Sequence, residues 1–241
     1  MDLSRLKKKF LFYLSVPKCV HCKERLDFEN RALCYKCELA FEEIKTRNCS
    51  KCSKLLSECF CTSEYLHSHF VKGVAKCFRY NVREDSNPAN SLIFSLKREN
   101  RSDVLERCTA ELVTALNHSL NIDESFVITN VPRRRKSIVR YGIDQSELLA
   151  KSLASWYGIP YKKLLCSNAK REQKLLSHDE RLKNADFRII DETSLGGKNV
   201  ILVDDIITTG ASMAGASAMI RTLFPKNIFA ASLAIAYRDD M

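Results

Sequence analysis

Residues 200–212, VILVDDIITTGAS, constrain the fold of this chain more than any other stretch. Four consecutive apolar residues, Val200 to Val203, suit a strand buried on both faces, as in a parallel sheet. Two carboxylates, Asp204 and Asp205, stand at its carboxyl end, and Thr208, Thr209, Gly210, Ala211 and Ser212 follow as a short hydroxyl-rich turn. The apolar run from Met213 to Phe224 then resumes at helical spacing. Strand, acidic pair, tight turn and helix start together suit a phosphorylated sugar. The N–H groups of the turn and the amino end of the helix attract a phosphate. Carboxylates a few residues earlier accept hydrogen bonds from sugar hydroxyls. An ordinary strand-to-helix connection, with the acids capping the helix, is the competing explanation.

The rest of the chain supplies the partners that such a strand needs. Residues 71–80, 126–129, 159–165 and 228–236 read as further strands. Leu92, Ile93 and Leu96 have helical spacing, and Val104, Leu105, Cys108, Leu112, Val113 and Leu116 share one face of a longer helix. Leu148, Leu149, Leu153 and Trp156 mark another helix over 146–157. Strands alternating with helices predict an α/β fold, a mainly parallel sheet with helices on both faces. Ligands of such sheets sit at the carboxyl ends of the strands. A second strand end, at Val131-Pro132, is followed by Arg133, Arg134, Arg135, Lys136 and Arg140. A guanidinium donates two hydrogen bonds to one phosphate, so this loop suits a pyrophosphate. A solvated basic loop and a nucleic-acid backbone contact are the alternatives.

Eight of the eleven cysteines fall in close pairs near the start: Cys19 and Cys22, Cys34 and Cys37, Cys49 and Cys52, Cys59 and Cys61. Two-residue spacing lets both thiolates of a pair face one tetrahedral ion, so the first four predict a structural zinc site and the last four a second. Four thiolates leave no open coordination position for catalysis. Disulfides and an iron–sulfur cluster are the alternatives. Cys77, Cys108 and Cys166 lack partners at ligand spacing and read as small core residues. His21, His67 and His69 read as polar residues outside the ligand set.

At 241 residues the chain can hold one ordinary domain and a small module. We place a cysteine-rich module with an N-terminal amphipathic helix over 1–66 and the α/β domain over 67–241. No segment has the apolar length needed to span a membrane. A start that does not read as a signal peptide and the nucleotide-type domain point to a reducing cytoplasm, where metal binding is favoured over disulfides. Net charge is +10, which favours polyanionic partners: nucleic acid, phosphorylated metabolites or an acidic surface. No aromatic stacking platform of the kind single-strand binders use is visible in the sequence.

The run 200–212 resembles the phosphoribosyl pyrophosphate (PRPP) signature of type I phosphoribosyltransferases at all thirteen positions. The order of parts resembles the ComF family, the GntX-like competence-associated proteins, across nearly the whole chain. Leu96-Lys97, Val131-Pro132, Gly142, Gln145, Leu149, Ala150, Gln173, Leu176, Arg181, Asn184 and Phe187 match further marks of that family. Tyr141, Ile143, Asp144 and Lys170 depart from it, in loops expected to cover the substrate. The resemblance implies a type I phosphoribosyltransferase fold behind a zinc-ribbon-like module. It implies that Asp204 and Asp205 are the catalytic, ribose-binding acids, with Mg²⁺ on PRPP. The PRPP-binding run extends from them through Ile206, Ile207, Thr208, Thr209, Gly210, Ala211 and Ser212, the last five at the 5′-phosphate. Arg133 and Arg134 are assigned to the pyrophosphate. The family association implies a role in DNA uptake and natural transformation beside the DNA-uptake machinery, with binding of single-stranded DNA. Lys7, Lys8, Lys9, Arg133, Arg134, Arg135 and Lys136 are the principal candidate contacts, and Lys162, Lys163, Lys170 and Arg171 the secondary ones. An active phosphoribosyltransferase on an unidentified nitrogenous base is the alternative.

Overall fold

The computed structural model describes residues 17–27, 32–80, 87–99, 101–133, 142, 144–167 and 187–236. The helix expected before residue 17, with Lys7, Lys8 and Lys9, lies outside the described residues, as do Arg134, Arg135, Lys136, Arg140, Lys170 and Arg171.

Four strands form a parallel sheet: β1 (Val71–Arg79), β2 (Phe126–Asn130), β5 (Asn199–Ile207) and β6 (Asn227–Ile235), in the order β1-β6-β5-β2. A separate antiparallel pair joins β3 (Leu165–Ser167) to β4 (Phe187–Ile189). Side chains alternate along a strand, so the sheet divides the interior into two cores. On one face Ala75, Cys77, Ile201, Val203, Ala231 and Leu233 pack with α3 (Pro88–Arg98), α4 (Ser102–Asn117) and α5 (Gln145–Tyr157). On the other, Val74, Val200, Leu202, Ile228 and Ala230 pack with α6 (Ala211–Arg221). The expected parallel sheet with helices on both faces is therefore present.

Local chemistry fixes the helix ends. Asn87 Oδ1 accepts the Asn90 N–H at 2.8 Å, and Pro88 occupies the first turn of α3, where its missing N–H leaves no bond unmade. Asp144 caps α5 by accepting the Glu147 N–H at 3.2 Å, and Gly158, at φ 65°, ends that helix in the left-handed conformation.

The cysteine-rich head is continuous with these cores. Its helix α1 (Tyr35–Lys45) and the cluster of Cys19, Cys34 and Cys37 belong to the core of α3–α5. Cys49, Cys59 and the short helix α2 (Glu64–Ser68) belong to the core of α6. The boundary expected between residues 66 and 67 falls inside α2.

Both sheet edges are covered, which blocks pairing with other chains. The Val74 N–H of β1 donates to the Phe60 carbonyl at 3.3 Å, and the Phe60 ring lies where a Gly73 side chain would stand. At the β2 edge, Ile128 exchanges backbone bonds with Pro160 (3.0 Å) and Lys162 (2.9 Å). The strand expected over 159–165 is reduced there to a single parallel bridge, Ile128 to Tyr161; the chain then turns away, and β3 begins only at Leu165.

Candidate functional site

Strand β5 runs through both acids to Ile207, because β6 continues to pair with it as far as Ile207 opposite Ile235. Asp204 and Asp205 are thus strand residues, and adjacent strand residues point to opposite faces. The two carboxyls nevertheless stay in contact: they share a side-chain hydrogen bond, and Asp204 Oδ1 accepts the Asp205 N–H at 2.8 Å. Asp204 is partly buried and lines two cavities. The larger, of about 160 Å³, is walled by Val131, Pro132, Arg133, Ser167, Phe187 and Ser212. The smaller, of about 40 Å³, is formed by Ile206, Ile207, Thr208, Thr209, Gly210, Ala211, Ser212 and Met213. All seven residues expected after the acids therefore meet around one hollow, and Asp204 lines both it and the larger cleft.

Asp205 turns inward. Its Oδ2 accepts from the Arg133 guanidinium and lies 3.3 Å from Lys97 Nζ, while its Oδ1 accepts the Ile206 N–H at 2.9 Å. The two carboxyls titrate in opposite directions. Burial, reinforced by the neighbouring Asp205 charge, holds Asp204 well above the usual carboxylate range. Burial also pushes Asp205 up, but Lys97 and Arg133 outweigh it and hold that carboxyl below its ordinary value. Lys97 was legible in the sequence only as a family mark; its approach to Asp205 is a tertiary contact between the end of α3 and β5.

The first turn of α5 positions the cationic wall. Asp144 Oδ2 accepts the Arg133 N–H at 3.0 Å, and its Oδ1 accepts from Ser146 Oγ at 2.7 Å. Gln145 Nε2 donates to the Lys97 carbonyl at 3.0 Å. Asp144, a departure from the family pattern, thus anchors both the helix and the Arg133 backbone. On the cavity wall the Ser167 Oγ atom is buried with no hydrogen-bond partner among the described residues. A buried hydroxyl left open in this way suits a polar ligand.

Gly210 sits at φ 79° where the turn enters α6 and caps it with no side chain; the Ala211 N–H donates to Thr209 Oγ1 at 3.4 Å, and residues 210–213 line the hollow. A methyl group there would stand 3.2 Å from Leu66 Cδ2. Gly210→Ala is expected to lower stability by about 1–2 kcal/mol, the cost of a left-handed non-glycine residue, and to weaken phosphate binding. Thermal melts and phosphate titration of the variant check this.

The cysteines form two quartets: Cys19, Cys22, Cys34 and Cys37, and Cys49, Cys52, Cys59 and Cys61. The four sulfurs of each lie within 4.8 Å of one another. Tetrahedral zinc–thiolate bonds of ~2.3 Å require such a cluster, so both quartets are compatible with structural zinc. Backbone donors hold one thiol of each near the thiolate form: against the opposing effect of burial, Cys19 and Cys49 are lowered to about 7. Cys77 and Cys108 are buried core residues as expected. Cys166 is only partly buried and accepts from Arg188 Nε at 3.3 Å. His21 bonds Ser91 Oγ at 3.0 Å, and His69 lies against Tyr65, so neither joins a quartet. No helix among the described residues is long and apolar enough to cross a membrane.

Comparison with known proteins gives the chain its relatives. It is 25% identical over 226 residues to competence protein F of Haemophilus influenzae, covering 86% of this chain and 91% of that protein. It is 27% identical over 220 residues to DNA utilization protein YhgH of Escherichia coli K12, covering 83% and 89%. Competence protein ComFC of Bacillus subtilis is 24% identical over 192 residues, or 75% of this chain and 74% of that one. No family model matches. Among solved structures, an allosteric regulatory enzyme of purine biosynthesis is similar over 58% of this chain and 30% of its own, at TM-score 0.41 and 20% identity. Adenine phosphoribosyltransferase of Thermoanaerobacter pseudethanolicus is similar over 58% and 83%, at TM-score 0.38 and 17% identity. The likeness to the ComF family expected from the motifs thus stands on homologues that cover most of the chain.

Proposed function

We infer, for a chain whose homologues are competence and DNA-utilization proteins, that it binds PRPP in the Asp204 cleft and acts in DNA uptake, with single-stranded DNA as a second ligand. One observation carries the PRPP reading: Asp204 lines both the hollow of the Thr208–Ser212 turn and the larger cleft beside Arg133. The turn suits a 5′-phosphate, the carboxylate a ribose hydroxyl, and Arg133 a pyrophosphate. The acids suit Mg²⁺ as well, which would offset the charge of the bound pyrophosphate. Calorimetric titration of PRPP with Mg²⁺ tests the reading.

The Arg133 guanidinium is tied to Asp205. Pyrophosphate must compete for that guanidinium, while Lys97 remains to balance the acid. If the cleft is also catalytic, departure of pyrophosphate leaves an oxocarbenium-like ribose, which Asp204 favours, and the cationic wall stabilises the leaving charge. Pyrophosphate release with a panel of nitrogenous bases tests that alternative.

The DNA reading rests on net charge +10 and on cation–aromatic pairs that spacing did not show. The Arg98 guanidinium lies 3.9 Å from the centre of the half-exposed Phe94 ring, one residue from Lys97. Arg221 lies 5.6 Å from that of Phe70. Such pairs suit unstacked bases. Contact with three phosphates predicts a roughly 20-fold loss of affinity for single-stranded DNA between about 50 and 200 mM salt. A flat salt dependence in fluorescence anisotropy contradicts the DNA reading and leaves the PRPP reading intact.

A further inference from the structure

The second cysteine quartet has a neighbour that the first lacks. Lys76 stands mid-strand in β1 and is 3% exposed. Its ammonium donates to the carbonyls of Cys61 at 2.9 Å, Val74 at 3.2 Å and Cys59 at 3.3 Å. No carboxylate pairs with it among the described residues. A buried ammonium held only by neutral carbonyls is costly unless an opposite charge lies close by. Two of its three acceptors belong to residues of the quartet itself. Four thiolates around a dication carry a net charge of minus two, and Lys76 supplies a positive charge against that centre.

The first quartet is placed differently. Lys23, which donates to the Val20 carbonyl at 3.0 Å, has a side chain 63% exposed. Arg101 reaches the Lys18 carbonyl at 2.7 Å, but its charge is already matched by Asp103 at 2.7 Å. Neither is a buried cation free to balance thiolates. The segment around the second quartet also covers the edge of β1 through Phe60, so Lys76, the quartet and the sheet edge form one packed unit.

We propose that Lys76 is the internal counter-cation of a dication–tetrathiolate centre at Cys49, Cys52, Cys59 and Cys61, and that this centre holds its ion more firmly than the one at Cys19, Cys22, Cys34 and Cys37. The proposal rests on the reading of both quartets as zinc sites. It gives the second site a structural office, closing the β1 edge of the sheet, and makes the first site the one that exchanges.

The test uses the full chain loaded with zinc. Zinc release to a chromophoric chelator is followed in time, and each quartet is identified by alkylation of its freed thiols and mass spectrometry. In the parent, the thiols of the second quartet are expected to react last, with release about tenfold or more slower than from the first. Lys76→Gln keeps donors at this position and removes the charge; it is expected to speed release from the second quartet about tenfold and leave the first unchanged. Lys76→Arg restores the charge and should release zinc at close to the parent rate. If Lys76→Gln does not fold, the order of release in the parent decides. Earlier release from the second quartet, or Lys76→Gln release at the parent rate, overturns the proposal alone. A parent with no zinc at the second quartet overturns it together with the metal reading.

Discussion

Asp204→Asn is expected to weaken PRPP binding about 100-fold, the size of a lost charged hydrogen-bond set, without lowering the melting temperature. The carboxyl lines both cavities yet is held above its usual range by burial and by Asp205. The folded chain therefore takes up a proton at Asp204 more readily than the unfolded chain does. Its contribution to stability is greatest below the ordinary carboxylate range and is lost as pH rises through the raised value. The amide keeps the shape and removes the charge. Near neutral pH the variant should melt about 2–4 °C above the parent, the shift that ~1 kcal/mol produces in a chain of this size. Calorimetry and differential scanning fluorimetry read the two effects separately. A variant that binds PRPP like the parent, or melts below it, contradicts the assignment.

The next residue should behave in the opposite way. Asp205→Ala leaves the Arg133 and Lys97 charges facing each other without an acid between them. Breaking a buried pair costs about 3–5 kcal/mol. Side-chain exposures of 16% for Arg133 and 28% for Lys97 let water relieve part of this. We expect a loss of about 2–4 kcal/mol and a melting temperature lowered by roughly 5–12 °C. Removing the acid also frees the Arg133 guanidinium for the pyrophosphate, so a strong loss of PRPP binding would mark a direct ribose contact by Asp205. The pH dependence has the reverse sign from Asp204. The lowered carboxyl of Asp205 contributes stability that is present above its unfolded value and lost as pH falls through its folded one. The parent should therefore lose stability in acid through this residue, and Asp205→Ala should lack that part of the decline. Thermal melts across the acid range measure it; parallel curves for parent and variant contradict the account.

The contrast between these neighbours marks what the sequence could and could not show. Val200 to Val203 point to a buried strand, and Thr208 to Ser212 to a tight turn before a helix, because apolar runs and small turn residues act locally. That the strand continues through the acids depends on β6, which pairs with Asp204, Ile206 and Ile207. That pairing makes both acids strand residues, so that Asp205 reaches Lys97 and Arg133 while Asp204 lines the cleft. Lys97 and Asp205 meet only because α3 packs beside β5, so no local pattern announced the ion pair. The cysteine pairs were legible as quartets, since two-residue spacing is itself the geometric requirement. Their burial in separate cores, and the lysine beneath the second, follow from how the head folds onto the sheet. The strand end at Leu165 was misplaced because Ile159 and Leu164 are buried by packing without a strand ladder to hold them.

The central claim is that a PRPP molecule fits the cleft at Asp204. A crystal structure of the chain grown with millimolar PRPP and Mg²⁺ tests it most directly. The account predicts a 5′-phosphate on the N–H groups of Thr208 to Ser212, ribose hydroxyls at Asp204, and Arg133 swung from Asp205 toward the pyrophosphate. Ligand density elsewhere, or an empty cleft with the Arg133–Asp205 pair intact, would contradict it.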